Sequence, residues 1–333
     1  PMTVTIATLG FPRIGPRREL KHALESYWSG KSDEAALLEA AAGLRTAAWA
    51  RQTALGADWL PSNDFSLYDH VLDLSVMLGA IPARYGAADG EATLATYFAM
   101  ARGTTGDAGG SHQGCAPSHS LTACEMTKWF DTNYHYIVPE LSAGQKLALG
   151  RLKIVEEYRE AKAQGYETRP VLLGPVTWLS LVKASGVDPF DYLDELLGLY
   201  GVILNHLAHA GAEWVQIDEP ILVTDLSEQQ RRAFARAYAR LARSTPQIML
   251  TTYFGGLGDN LGLAAALPVA GLHVDLVRAP EQLDAAFKAA PKTLALSLSV
   301  IDGRNIWRAD LAGLLDRIEP LAAERDLILA PSC

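Results

Sequence analysis

Short apolar runs and longer amphipathic stretches take turns through the second half of this 333-residue chain, and that alternation restricts the fold more than any other feature. The runs EWVQIDEP (213–220), QIMLTTYF (247–254), GLHVDLV (271–277), TLALSLSV (293–300) and DLILAPS (326–332) have strand length and strand character. Between them, 226–243, 280–290 and 309–324 carry apolar residues at helical spacing. Strand and helix in alternation imply right-handed βαβ units and a parallel sheet. RPVLLGPVTWL (169–179), with a helical stretch at 188–211, extends the pattern backward, and VTIATLGFP (4–12) reads as the first strand. NYHYIVPE (133–140) supplies an eighth. So many parallel strands predict an α/β fold, a closed (β/α)8 TIM-type barrel, with residues 31–105 as extra N-terminal helices. The polar residues that end these runs (Asp218, Glu219, Asp275, Asp302, Arg304, Asn305) would then lie on the active face of the barrel or serve as caps in its loops. With no repeat or linker in view, and with Pro1 ahead of Met2 read as a residue left by tag cleavage, one domain is expected over 2–333.

The stretch GFPRIGPRRELKHALESYW (10–28) breaks after the first strand and starts a helix near Pro16. Leu20, Ala23, Leu24 and Tyr27 form one stripe at i, i+3, i+4 and i+7, while Arg18 and Lys21 share another face beside Arg17. Cations in a first helical turn oppose the helix dipole. They make sense where an anion docks on the free N–H groups of that end, or else as a solvated basic turn paired with Glu19 or Glu25. A second cation, Lys128, stands among aromatic residues in CEMTKWFDTNYHYIVPE (124–140), with Asn133 close by. It is either a snorkelling surface lysine or, with the Asn133 amide, a clamp for a carboxylate.

Two further groupings invite catalytic readings. His112, Cys115, His119 and Cys124 are spaced H-x2-C-x3-H-x4-C, but a structural zinc site shows two close pairs on a longer arm. The flanking glycine and serine describe a loop, and no metal is expected there. Asp218 and Glu219 could supply the acid/base group of a barrel hydrolase, or they could be structural carboxylates binding neighbouring loops. The net charge of −9 argues against a nucleic-acid partner. No apolar run approaches the ~18–20 residues that span a bilayer, and the N-terminus lacks a signal peptide's basic and apolar segments. Three cysteines make no disulfide framework and fit a reducing cytoplasm.

Together, GFPRIGPRRELKHALESYWSGK, EMTKWFDTNYHYIVPE, LLGPVTWL, WVQIDEP, GLHVDLV and DGRNIWRADL resemble the cobalamin-independent methionine synthase family, in order and over nearly the whole chain. The resemblance implies a methyltransferase that moves the methyl group of 5-methyltetrahydropteroyltri-L-glutamate to L-homocysteine, built from two face-to-face (β/α)8 barrels. Every match falls in the N-terminal barrel. On this basis Arg18, Glu19, Leu20, Lys21, Lys128 and Asn133 would bind the glutamate tail of the folate. The family's zinc, held by a His, two Cys and a Glu of the C-terminal barrel, has no ligands in this chain, and no cobalamin is expected. The segment 104–122 lies where family members vary, and Ser299 stands where a glycine is expected. LILAPSC stops inside a run that continues in the family, so catalysis, homocysteine and most of the pterin site would belong to the other barrel. Two other expectations compete: a free-standing folate-polyglutamate-binding module, and a barrel hydrolase using Glu219.

Overall fold

The first strand, Val4–Ile6 (β1), lies between the last strand and the second, which turns an open sheet into a ring. The computed structural model describes residues 3–86, 92–104, 120–243 and 246–333. Among these, the barrel strands in chain order are β1, Leu60–Ser62 (β2), Thr168–Leu173 (β3), Trp214–Asp218 (β4), Gln247–Thr251 (β5), Gly271–Asp275 (β6), Ala295–Ile301 (β7) and Leu327–Pro331 (β8). Neighbours pair in parallel from β2 round to β8, and β8 pairs with β1 in the register Val4 to Leu327. The seam is closed by a parallel bridge between Ala7 and Trp59, where the Thr8 N–H donates to the Trp59 carbonyl at 3.2 Å.

The expected (β/α)8 barrel is therefore present, but its second strand is not where the sequence placed the extra one. Leu60–Ser62 sits inside the stretch read as helical, and a three-residue strand containing Pro61 offers no alternation to detect. The segment read as an eighth strand holds His135–Ile137, which pairs antiparallel with Met126–Lys128 in a separate hairpin. Two extra helices, Glu19–Trp28 and Glu34–Ala54, separate β1 from β2.

The helices follow their apolar stripes. Leu193–Ala210 buries Leu196, Leu197, Tyr200, Ile203, Leu204 and Leu207 and stops at Gly211, whose φ of 95° suits a left-handed cap. Each such leucine contributes roughly 1.5–3 kcal/mol by leaving water. Glu228–Leu241 starts from a capping box made by Ser227 and Gln230. A satellite core joins Leu20 and Leu24 to Leu37, Phe98, Cys124 and Ile137, so the first helix and the hairpin share one apolar anchor.

Candidate functional site

The hairpin between β2 and β3, the start of the first helix, and the loops that follow β1, β2, β5 and β7 carry the polar and aromatic groups of interest. The first helix begins without a side-chain cap, because Arg18 occupies the N-cap position with left-handed φ 63° and ψ 35°. That conformation is uncommon outside glycine, asparagine and aspartate. Gly15, at φ 83°, makes the preceding turn; a Cβ there would meet the Glu19 carboxylate at 2.2 Å. Glu19 folds back, accepting from the Arg17 N–H at 2.9 Å and from Arg17 Nε at 3.2 Å. Its own backbone N–H and the Arg17 contacts hold its carboxyl below the ordinary value. Leu20 is buried in the satellite core, so it fixes the helix rather than facing outward. Lys21 makes one loose exposed contact with Glu25, at 3.6 Å.

Lys128 lies on a fully exposed hairpin strand, and Asn133 is exposed in the turn of that hairpin. Among the described residues, the side chains of Arg18, Lys128 and Asn133 have no hydrogen-bond or ion-pair partner. No direct bond joins the helix start to the hairpin among the described residues; their link is the shared core.

Asn133 also borders a cleft of about 480 Å³ at the C-terminal ends of the strands. Phe11 and Arg13 reach it from β1, His70 from beyond β2, Trp129 and Tyr134 from the hairpin, Phe254 from β5 and Arg304 from β7. A smaller cavity lined by Asp64 and Asp218 shares His70 and Trp129 with it. Burial pushes Asp64 up to about 6, although the Phe11 N–H donates to it at 2.8 Å. Burial likewise holds the His70 imidazole below its ordinary value.

The barrel interior explains Asp218. Arg169 Nη2 donates to Gln216 at 2.8 Å, Gln216 Nε2 donates to Asp218 at 2.8 Å, and the Tyr253 hydroxyl donates to Asp218 at 3.1 Å. Burial still raises Asp218 to about 7. Glu219 is wholly buried. It accepts from the Thr177 N–H at 2.7 Å, the Thr177 hydroxyl at 2.6 Å, the Val176 N–H at 3.2 Å and the Tyr238 hydroxyl at 3.1 Å. Every lone-pair direction is used, so Glu219 anchors the helix Pro175–Leu181 by its N–H groups and has no face for a substrate. The hydrolase expectation fails on this geometry.

His112, Cys115 and His119 lie outside the described residues. Cys124 is buried, 3.4 Å from Arg84 Nη2 and 3.6 Å from the Tyr85 hydroxyl. Among the described residues no three His, Cys, Asp or Glu side chains converge as a metal site would require. A larger cavity of about 640 Å³ lies against the helices Glu34–Ala54 and Lys153–Ala163. Its charges largely satisfy one another, with Arg45 on Glu160 at 2.8 Å and Lys153 on Glu157 at 3.1 Å.

Arg13 and Phe254 were not singled out by sequence reasoning. Arg13 lay inside a quoted motif, and Phe254 closed a strand-like run, but only the fold brings them to one cleft.

A parallel barrel with a cleft at its C-terminal strand ends, flanked by unpaired cations, defines a (β/α)8 domain of the enzyme type. The model of the cobalamin-independent synthase N-terminal domain matches residues 5–326, and the chain belongs to that family. It is 62% identical over 340 residues to a 5-methyltetrahydropteroyltriglutamate–homocysteine methyltransferase of Nitrobacter winogradskyi, covering 98% of this chain and 44% of the relative. The corresponding protein of Caulobacter vibrioides is 60% identical, with 100% and 44% covered. The chain thus spans less than half the length of these curated relatives. In fold it is similar to a B12-independent methionine synthase from Shewanella sp. W3-18-1, with a TM-score of 0.68 at 12% identity, covering 99% of this chain and 90% of that one.

Proposed function

We propose that this chain, as one barrel domain over 2–333, is the folate-tail-binding half of a methyltransferase. That enzyme would carry the methyl group of 5-methyltetrahydropteroyltri-L-glutamate to L-homocysteine. The observation that carries the reading is the uncapped helix start: Arg18 is held in a left-handed conformation with its guanidinium unpaired, and Lys21 stands one turn on. An uncapped N-terminus flanked by cations favours an anion through its N–H groups, its dipole and its charges together. Lys128 and Asn133, from a hairpin anchored in the same core, offer a second set of free donors. Glutamate-tail carboxylates are ligands of the right charge and multiplicity for two such sets. Glu19 and Leu20 act by holding the turn.

Homocysteine and the family's zinc would belong to a C-terminal barrel, which this chain would meet as its partner in the reducing cytoplasm. No helix among the described residues is long and apolar enough to cross a membrane. The domain's own part is to bind and place the folate, a contribution of proximity rather than of bond-making. The test measures methyl transfer by a separately supplied C-terminal half with and without this chain. Stimulation confined to folates with a polyglutamate tail is the expected result; no stimulation would leave the reading without support.

A further inference from the structure

The cleft beside Asn133 has features that tail binding does not use. Phe130 and Phe254 both hold positive φ, 47° and 78°, and their rings meet at 5.8 Å. Backbone of this kind persists where surrounding structure over-determines it, and it clusters at ligand sites. Here the surroundings are visible. The Phe254 N–H donates to Asp275 at 2.9 Å, Asp275 also accepts from the Val277 and Arg278 N–H groups, and Arg278 pairs with Asp131 of the hairpin turn at 2.7 Å. The β5 and β6 loops and the hairpin thus brace one another around the two rings. Trp129 stands edge-on to both, at 4.9 Å from Phe130 and 6.5 Å from Phe254, and His70 is edge-on to Trp129 at 4.6 Å.

Charge in the cleft runs against the rest of the molecule. In a chain of net charge −9, two guanidinium groups border it. The Arg304 guanidinium lies over the Phe254 ring at 5.8 Å and, among the described residues, has no acidic partner. Arg13 donates one N–H to the Ser66 carbonyl and likewise pairs with no acid. The acid that lines the cleft, Asp64, is buried against the Phe11 N–H. The volume, about 480 Å³, suits a small organic ligand.

We propose that this cleft binds a flat aromatic ring whose side chain carries a carboxylate, with the ring against Phe254 and Trp129 and the carboxylate at Arg304 and Arg13. Guanidinium groups favour both aromatic faces and planar carboxylates, so one rim recognises both parts of such a ligand. The inference rests on the proposed folate reading only in naming the ligand, which would be the aminobenzoyl-glutamate portion, continuous with a tail running past Asn133.

The test is calorimetry on the 333-residue chain with three probes: triglutamate, 4-aminobenzoyl-triglutamate and 4-aminobenzoyl-monoglutamate. In the unsubstituted protein the ring should tighten triglutamate binding about tenfold, the order expected of an aromatic contact with its buried area. Phe254→Leu should abolish most of that gain and leave bare triglutamate binding, which has no ring, unchanged, whereas Arg304→Gln should weaken both aminobenzoyl probes about tenfold. Arg304 is exposed, so its substitution remains decisive should Phe254→Leu alter the circular dichroism spectrum. No gain from the ring, or aminobenzoyl-monoglutamate binding that Arg304→Gln leaves unchanged, overturns the proposal. Triglutamate that fails to bind while the monoglutamate probe binds in an Arg304-dependent way overturns the tail reading instead and leaves the cleft standing.

Discussion

Gly174 and Glu219 share a space that holds one side chain: a Cβ on Gly174 would stand 2.1 Å from the Glu219 carboxyl carbon. With φ −72° at Gly174, the requirement is one of room and not of backbone conformation. The motifs LLGPVTWL and WVQIDEP are thereby one structural unit, a carboxylate from the end of β4 seated on the helix that follows β3. Gly174→Ala should cost about 1–3 kcal/mol by overpacking, read as a lowered urea midpoint with an unchanged slope. A variant as stable as the parent would show that the seat is looser than described.

Glu219→Gln keeps the shape and reverses half of the hydrogen bonding. One oxygen becomes an NH2 that must face N–H or hydroxyl donors, leaving buried groups unpaired at about 1–3 kcal/mol each. Thermal unfolding should fall accordingly, and folate-tail binding by the folded fraction should not change. Specific loss of binding with full stability would restore a functional role for this residue.

Asp218 makes stability pH-dependent in a definite direction. Its proton is held in the folded state up to about pH 7, whereas an unfolded aspartate releases it near 3.8. Between those values the folded state alone holds the proton, so this contribution is full below the lower value and is lost as pH rises through the upper one. The slope is at most about 1.4 kcal/mol per pH unit. Asp218→Asn removes it. Urea unfolding from about pH 4 to about pH 8 should show the parent losing stability relative to the variant as pH rises. A constant gap across the window would refute the assignment.

Neutralising either Lys21 or Lys128 should weaken triglutamate binding about tenfold, since charged hydrogen bonds contribute ~1.5–3 kcal/mol when well formed and less when exposed. Lys21→Met and Lys128→Met should hurt a triglutamate more than a monoglutamate, and both effects should shrink with added salt. Equal losses on the two ligands would mean that the lysines do not read the tail.

Elemental analysis of chelator-free protein should find no stoichiometric metal on the 109–124 segment. Burial pushes the Cys124 thiol up to about 11, and metal ligation needs the thiolate. About one zinc per chain, lost on joint Cys115→Ser and Cys124→Ser substitution, would contradict this.

The barrel was legible in the sequence because βαβ repetition writes itself as alternating apolar periods, and β3 through β8 all announce themselves this way. β2 did not, since three residues around Pro61 carry too little pattern, and its pairing with Thr168–Pro170 spans more than a hundred positions. The paired carboxylates were visible as residues but not as partners: only the fold shows Glu219 filling the gap at Gly174. Lys21 and Lys128 were each readable as a cation out of place. The aromatic cleft was not readable, because Arg13, Trp129, Phe254 and Arg304 come from four segments that meet only when the strands are in order.

The ring order of the strands also sets a schedule for synthesis. β1 takes its main strand partner from β8, near the far end of the chain, with Val4 opposite Leu327. A ribosome adding about 5–20 residues per second exposes that partner only after some tens of seconds. Until then the first strand has only the seam contacts, among them Asp58, which accepts the Ile6 N–H at 2.8 Å and donates its own N–H to the Ile6 carbonyl at 2.8 Å. Asp58 lies 52 positions from Ile6, so it is the partner that the first strand can meet long before Leu327.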